Sequence, residues 1–119
     1  IFDTRAQILQ SPELKHIKIE IRSIFLQGAL LNSLRKNRGS FFEKWKEVFE
    51  KYHNWLEMEK LTPLEACIFF AMMFSPEKIV LGFRDPDEII QFSNIADSYR
   101  EILIQDFGAS NDLINPYNW

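Results

Sequence analysis

The chain is short of the residues that several common functions require. It has one cysteine, Cys67, set in an apolar helical run, so no internal disulfide can form and a reducing compartment fits. Its two histidines, His16 and His53, have no metal-ligand companion at sensible spacing, so no metal is expected. The formal net charge is −3 and the pI is near 5.4, which leaves no basic face for a nucleic-acid backbone. The short basic cluster Arg35, Lys36 and Arg38 reads as a solvated loop. Long apolar runs are missing too: Cys67 to Phe74 is bounded by Glu65 and by Ser75 with Pro76, far short of a membrane span. Nor is there a leader-type segment, so the expected location is the cytoplasm.

What is present is enough for a core. At 119 residues, with 46% hydrophobic and 14% aromatic content, residues 1–119 read as part of one folded domain. The stretch from Lys78 to Ile90 organises the rest. Lys78 to Leu81 has the aliphatic composition of a strand in a parallel sheet, and Gly82 ends it. Asp85, Pro86 and Glu88 then stand at N-cap, first and third helical positions, a capping-box arrangement. A strand running through a short loop into a helix N-terminus presents backbone N–H groups where α/β folds hold phosphates. Against that, Asp85, Asp87 and Glu88 place negative charge at the same spot, with Arg84 as the one positive neighbour. On these residues alone an ordinary capped turn is favoured over an anion site.

Taken in order, Ile1 and Phe2 read as the end of a strand, and the start on Ile1 reads as the tail of something longer. A helical stretch, Arg5 to Gln10, breaks at Ser11, where Ser11, Pro12 and Glu13 open a second, running to about His16. Ile17 to Phe25 alternates and then turns apolar, which predicts a strand, with Gly28 as the turn and Ala29 to Leu34 as a connection. Asn37 to Gly39 is a loop. Ser40 and Glu43 make a capping box for a helix carrying Phe42, Trp45, Val48, Phe49, Tyr52, Trp55 and Leu56 at spacings of three and four, a stripe better read as a core face than as a cofactor box. Thr62, Pro63 and Glu65 begin a helix to about Phe74, apolar nearly all round and so buried between layers. The helix after Asp85 runs through about Ser93, an amphipathic stretch spans Tyr99 to Phe107, and the tail is irregular, docked by Leu113, Ile114 and Trp119. This is β/α alternation with parallel strands, and two or three such strands leave edges unpaired, as part of a larger barrel of about 250 residues would.

Five segments, FDTR (Phe2 to Arg5), IEIRSIFLQGALL (Ile19 to Leu31), TPLEA (Thr62 to Ala66), IVLGFRDPDEI (Ile79 to Ile89) and INPYNW (Ile114 to Trp119), occur in an order that resembles the C-terminal portion of aldo/keto reductases. The likeness is greatest to the bacterial members with an RS-x-FLQG segment. It implies an α/β fold, the C-terminal fragment of a (β/α)8 TIM barrel. The pieces would be the end of the sixth strand, the seventh at about Lys18 to Phe25, the eighth at about Lys78 to Leu81, and their helices. NADP(H), with NAD(H) as the alternative, would then lie across the C-terminal ends of these strands. Ser23 takes the place of the serine in the family's Y-S-P-L-G motif, and Leu26, Gln27 and Gly28 lead into the loop that lines the pyrophosphate. Gly82, Phe83 and Arg84 match the start of the segment that holds the adenosine 2′-phosphate.

Departures from the family pattern accompany these matches. Arg22 stands where many members carry a ring that stacks on the nicotinamide, and Ile24 replaces the motif's proline. Gln91 and Phe92 stand where a Glu-Asn pair contacts adenine. No residue corresponds to the catalytic tetrad of Asp, Tyr, Lys and His, so the resemblance implies no catalytic residue here. The expected function is the cofactor side of an oxidoreductase that reduces a small-molecule aldehyde or ketone, inactive alone. A non-catalytic binding or regulatory protein of the same fold is the alternative, and a small helical module using the Phe42 to Leu56 stripe is a third. Unpaired edges and aromatic faces predict self-association, with no nucleic-acid or membrane partner.

Overall fold

Two short strands lie side by side and parallel, and the helices are arranged around them. The structure, a computed structural model, describes residues 1–31 and 40–118. The basic cluster at Arg35, Lys36 and Arg38, the Asn37 to Gly39 loop, the end of the Ala29 to Leu34 connection, the Ser40 side chain of the expected capping box and the docking of Trp119 lie outside those residues. Among the described residues the sheet has two strands, β1 (Glu20–Arg22) and β2 (Lys78–Val80), with Glu20 opposite Lys78, Ile21 opposite Ile79 and Arg22 opposite Val80.

Both strands are shorter than their composition predicts, β1 markedly so. At its start, the Ile17 N–H is taken by the Leu14 carbonyl at 2.9 Å, closing a turn, while Glu77 N–H reaches Ile19 O at 2.8 Å just before the ladder begins. At its end, Ser23 has φ +59°, a left-handed conformation that no strand can continue through. The chain before β1 forms two 3₁₀ turns, Thr4–Gln10 and Pro12–Leu14, rather than α-helix. Asp3 caps the first through the Arg5 N–H.

Among the described residues four α-helical segments follow before the tail. The single helix expected from Ser40 onward is divided into α1 (Ser40–Glu43) and α2 (Lys46–Glu59). Trp45 sits between them at φ −106°, ψ +13°, off the helical values, and Lys44 Nζ lies over the Phe41 and Trp45 rings at 4.6 and 5.2 Å. Along α2 the stripe at three- and four-residue spacing does face the core, burying Val48, Phe49, Tyr52, Trp55 and Leu56. Helix α3 (Pro63–Met72) begins with a complete capping box: Glu65 N–H donates to Thr62 Oγ1 at 3.2 Å, and Thr62 N–H to Glu65 Oε2 at 2.7 Å. It buries Ala66, Cys67, Ile68, Phe69 and Ala71, as its all-round apolarity predicts. Helix α4 (Pro86–Asp97) outlasts its expected end by four residues and packs on α3, and α5 (Asn111–Ile114) puts one helical turn in the tail.

Helix α2 closes with Lys60 at φ +55°, its N–H on Glu57 O at 3.2 Å and the Leu61 N–H on Leu56 O at 2.9 Å, the pattern that glycine normally terminates. Lysine pays the Cβ penalty of the left-handed region there. Lys60→Gly is therefore expected to stabilise the fold by about 1 kcal/mol, net of glycine's larger unfolded-state entropy. Urea titration of both chains checks this, and a lower midpoint for the glycine variant would count against it.

The core closes where Phe2 and Phe107 meet over α2. The Phe2 ring lies 5.6 Å from Phe49, 5.4 Å from Tyr52 and 5.4 Å from Phe107, while Phe107 in turn is 5.6 Å from Trp55. The stretch from Tyr99 to Phe107, amphipathic by composition, is not helical. It runs antiparallel along α2: Arg100 bonds the Glu59 carbonyl, Trp55 Nε1–H donates to Leu103 O at 2.9 Å, and Gln105 reaches Lys51 O at 3.4 Å. Those contacts, with Ile102 and Phe107 buried beneath them, hold the backbone extended.

Candidate functional site

Because β1 and β2 are parallel and adjacent, the loops that follow them leave the sheet at the same end. The seven residues singled out from the sequence all lie on these two loops, but they divide into groups. Ser23 and Leu26 border a cleft of about 230 Å³ enclosed by the N-terminal segment, β1 and α3. Gln27 and Gly28 turn the chain away from it, with Gly28 N–H on Phe25 O at 3.0 Å. Gly82, Phe83 and Arg84 lie on the β2 side, outside the cleft's walls.

The first loop is held in an unusual backbone state. Ser23, Leu26 and Gln27 have φ of +59°, +50° and +52°, and Gly28 has +81°. Three of those four carry a Cβ in the left-handed region, at a cost of about 1–2 kcal/mol each. Packing offsets the cost, since Leu26 and its neighbours Ile24 and Phe25 rest on the core and Leu30 is fully buried in it.

The second loop has already found an anion. Glu88 accepts the Arg84 backbone N–H at 2.8 Å and Arg84 Nε at 2.8 Å, with Nη2 close by, while Asp85 caps α4 through the Glu88 N–H at 3.1 Å. Those donors hold the Glu88 carboxyl below its ordinary pKa, the backbone N–H first and the guanidinium second. A phosphate arriving here would compete with a carboxylate for the same cation. Phe83 packs edge-on against Phe92 at 6.0 Å, so Phe92 is a structural neighbour of the loop, whereas Gln91 is exposed.

Gly82 carries no conformational demand of its own. Its φ lies outside the left-handed region and a Cβ built on it would meet nothing within 4 Å. Gly82→Ala is therefore expected to leave the fold intact and to raise its stability by about 0.4–1 kcal/mol by narrowing the unfolded ensemble. A fall in the thermal midpoint would mean that the loop needs glycine for its own folding.

Deep in the core lies a second polar group, the Cys67 thiol and the Tyr52 hydroxyl. Burial pushes the Cys67 thiol up to about 12 and the Tyr52 phenol well above its usual value. The buried thiol thus stays protonated at neutral pH. The Tyr52 hydroxyl is near the thiol but without full hydrogen-bond geometry. Cys67 and Tyr52 are 1% and 0% exposed, so the pair offers no surface chemistry.

Among the described residues no group of three His, Cys, Asp or Glu could hold a metal ion, and no helix is long and apolar enough to cross a membrane. The positive-φ loop, the cleft and the Arg84–Glu88 contact were not singled out from the sequence. Only the last has a local signature, the four-residue spacing of opposite charges at a helix start. No protein-family model matches the chain, and no curated protein or solved structure matches it either.

Proposed function

We propose that this chain is the cofactor-binding side of an NADP(H)-dependent carbonyl reductase of the aldo/keto reductase type, acting in the cytosol on a small aldehyde or ketone. One observation carries the reading: β1 and β2 pair in parallel with Arg22 opposite Val80, so the Ser23 to Gly28 loop and the Gly82 to Arg84 loop emerge together. A dinucleotide laid across that end would meet both, its pyrophosphate by the first loop and its ribose phosphate by the second. Hydride transfer needs the proton-donating tetrad as well, so binding, not turnover, is the activity of these residues.

The test is a titration of the 119-residue chain with NADPH and with NADH, followed by the cofactor's own fluorescence. NADPH is expected to bind more tightly, Arg84→Ala to remove that preference, and Gly82→Ala to weaken both cofactors about tenfold by filling the approach to the loop. No binding of either cofactor by the folded chain would sink the reading. A second reading, a non-catalytic binding or regulatory protein of the same fold, is favoured by the commitment of Arg84 to Glu88, and it predicts that negative result. Self-association belongs with both, since each strand of the described sheet keeps one edge unpaired. A monomer in sedimentation equilibrium at high micromolar concentration would contradict it.

A further inference from the structure

The cleft beside β1 has a composition that selects a ligand, whether or not a nicotinamide cofactor binds nearby. Its walls are apolar, with Phe2, Leu9, Leu26 and Phe74 among them. At about 230 Å³ it falls below the roughly 300–1,000 Å³ of pockets for drug-sized ligands, and so suits a single ring or a short alkyl chain.

The polar groups on the lining differ in what they are free to do. Asp3 is committed to Arg5, with contacts of 2.7 Å from both Nε and Nη2. Glu20, the nearest carboxylate on β1 though not itself part of the lining, is committed to Lys78 at 3.0 Å. Arg22 and Ser23 remain, adjacent on the chain at the end of β1, and neither side chain has a hydrogen-bond or ion-pair partner among the described residues. An uncommitted guanidinium beside a hydroxyl, at the edge of a small apolar cleft, is the donor set for a carboxylate with an apolar body.

We infer that this cleft binds a small apolar carboxylate, with the ring or chain against Phe2, Leu9, Leu26 and Phe74 and the carboxylate paired to Arg22 with Ser23 as a second donor. The exposed setting of Arg22 limits the gain from the pair, because water screens it, so apolar burial supplies the base affinity and the charge supplies selectivity.

Isothermal titration of the chain with 3-phenylpropanoate and with 3-phenylpropanol separates the two contributions. The carboxylate is expected to bind one to one and about tenfold more tightly than the alcohol, with that margin shrinking as salt is raised. Arg22→Gln, on an exposed strand position, is expected to bring the carboxylate down to the alcohol's affinity and to leave the alcohol unchanged. Ala6→Leu, which narrows the cleft, should weaken both. Equal affinities for the two probes, a margin that survives Arg22→Gln, or no binding by either probe would each overturn the assignment. Because neither probe contains a nucleotide, these outcomes are independent of the NADPH titration.

Discussion

Trp55→Ala is expected to cost the fold about 3–5 kcal/mol, a large share of the roughly 5–15 kcal/mol that holds an ordinary domain together. Trp55 is 2% exposed and stands where three parts of the chain meet. Its ring stacks 6.0 Å from Tyr52 on its own helix and meets Phe107 at 5.6 Å, while its Nε1–H holds the Leu103 carbonyl of the extended segment at 2.9 Å. Truncation removes the ring, opens a cavity in the aromatic cluster and orphans an acceptor on a segment that few other bonds retain. Trp55→Phe separates these terms. It keeps most of the ring contact and loses the hydrogen bond, so about 1–2 kcal/mol is expected. Guanidinium unfolding monitored by far-UV circular dichroism measures both variants, and a loss under about 1 kcal/mol for the alanine chain would show that the Tyr99 to Phe107 segment does not depend on this contact.

That segment also marks the boundary of what the sequence makes legible. Local signals survive into the structure because their partners are three or four residues away: Thr62 with Glu65, Asp85 with Glu88, and the α2 stripe from Val48 to Leu56. Their physics is complete within one turn of helix. The extended course of Tyr99 to Phe107 is fixed instead by Lys51, Trp55 and Glu59 on a helix more than forty residues earlier, which no periodicity of the segment itself encodes. Strand β1 ends early for a related reason. Left-handed backbone announces itself through glycine or asparagine, and here serine, leucine, glutamine and lysine adopt it, Leu26 packed against the core and Ser23, Gln27 and Lys60 exposed.

The candidate site divides along the same line. The loops after the two strands could be located from composition and from the motifs within them, since a strand, its turn and the next helix cap are contiguous. The cleft could not. Its walls come from Phe2, Leu9, Leu26 and Phe74, four places that only the tertiary fold brings together, and the freedom of Arg22 is visible only once Glu20 is found paired to Lys78 and Asp3 to Arg5. Charge counted along the chain does not distinguish a committed arginine, such as Arg84, from an uncommitted one.

A polypeptide made to begin at Ile1 with a free amine is expected to lose stability steadily as the pH falls from 8 to 5. Burial lowers that amine from 8.0 to about 5, while the groups nearest it in charge terms, Cys67 and Asp3, oppose the shift only in part. The unfolded chain therefore takes up a proton below pH 8 that the folded chain refuses until about pH 5. With more protons on the unfolded state across that window, stability rises with pH, and the full shift corresponds to about 4 kcal/mol. Asp3 and Glu88 contribute with the same sign but elsewhere: both carboxyls are lowered in the fold, from 3.8 and 4.5, so their share is lost only in more acidic solution. Denaturant midpoints at pH 5.5 and pH 8 measure the effect. The same polypeptide carrying an N-terminal acetyl group supplies the control, because every other titrating group is common to both and cancels in the difference. The free-amine chain should lose markedly more stability than the acetylated one between the two pH values. Equal losses would mean that the Ile1 amine reaches water in the folded state, and that the contact of Phe2 with Phe49, Tyr52 and Phe107 does not hold the first residue inside.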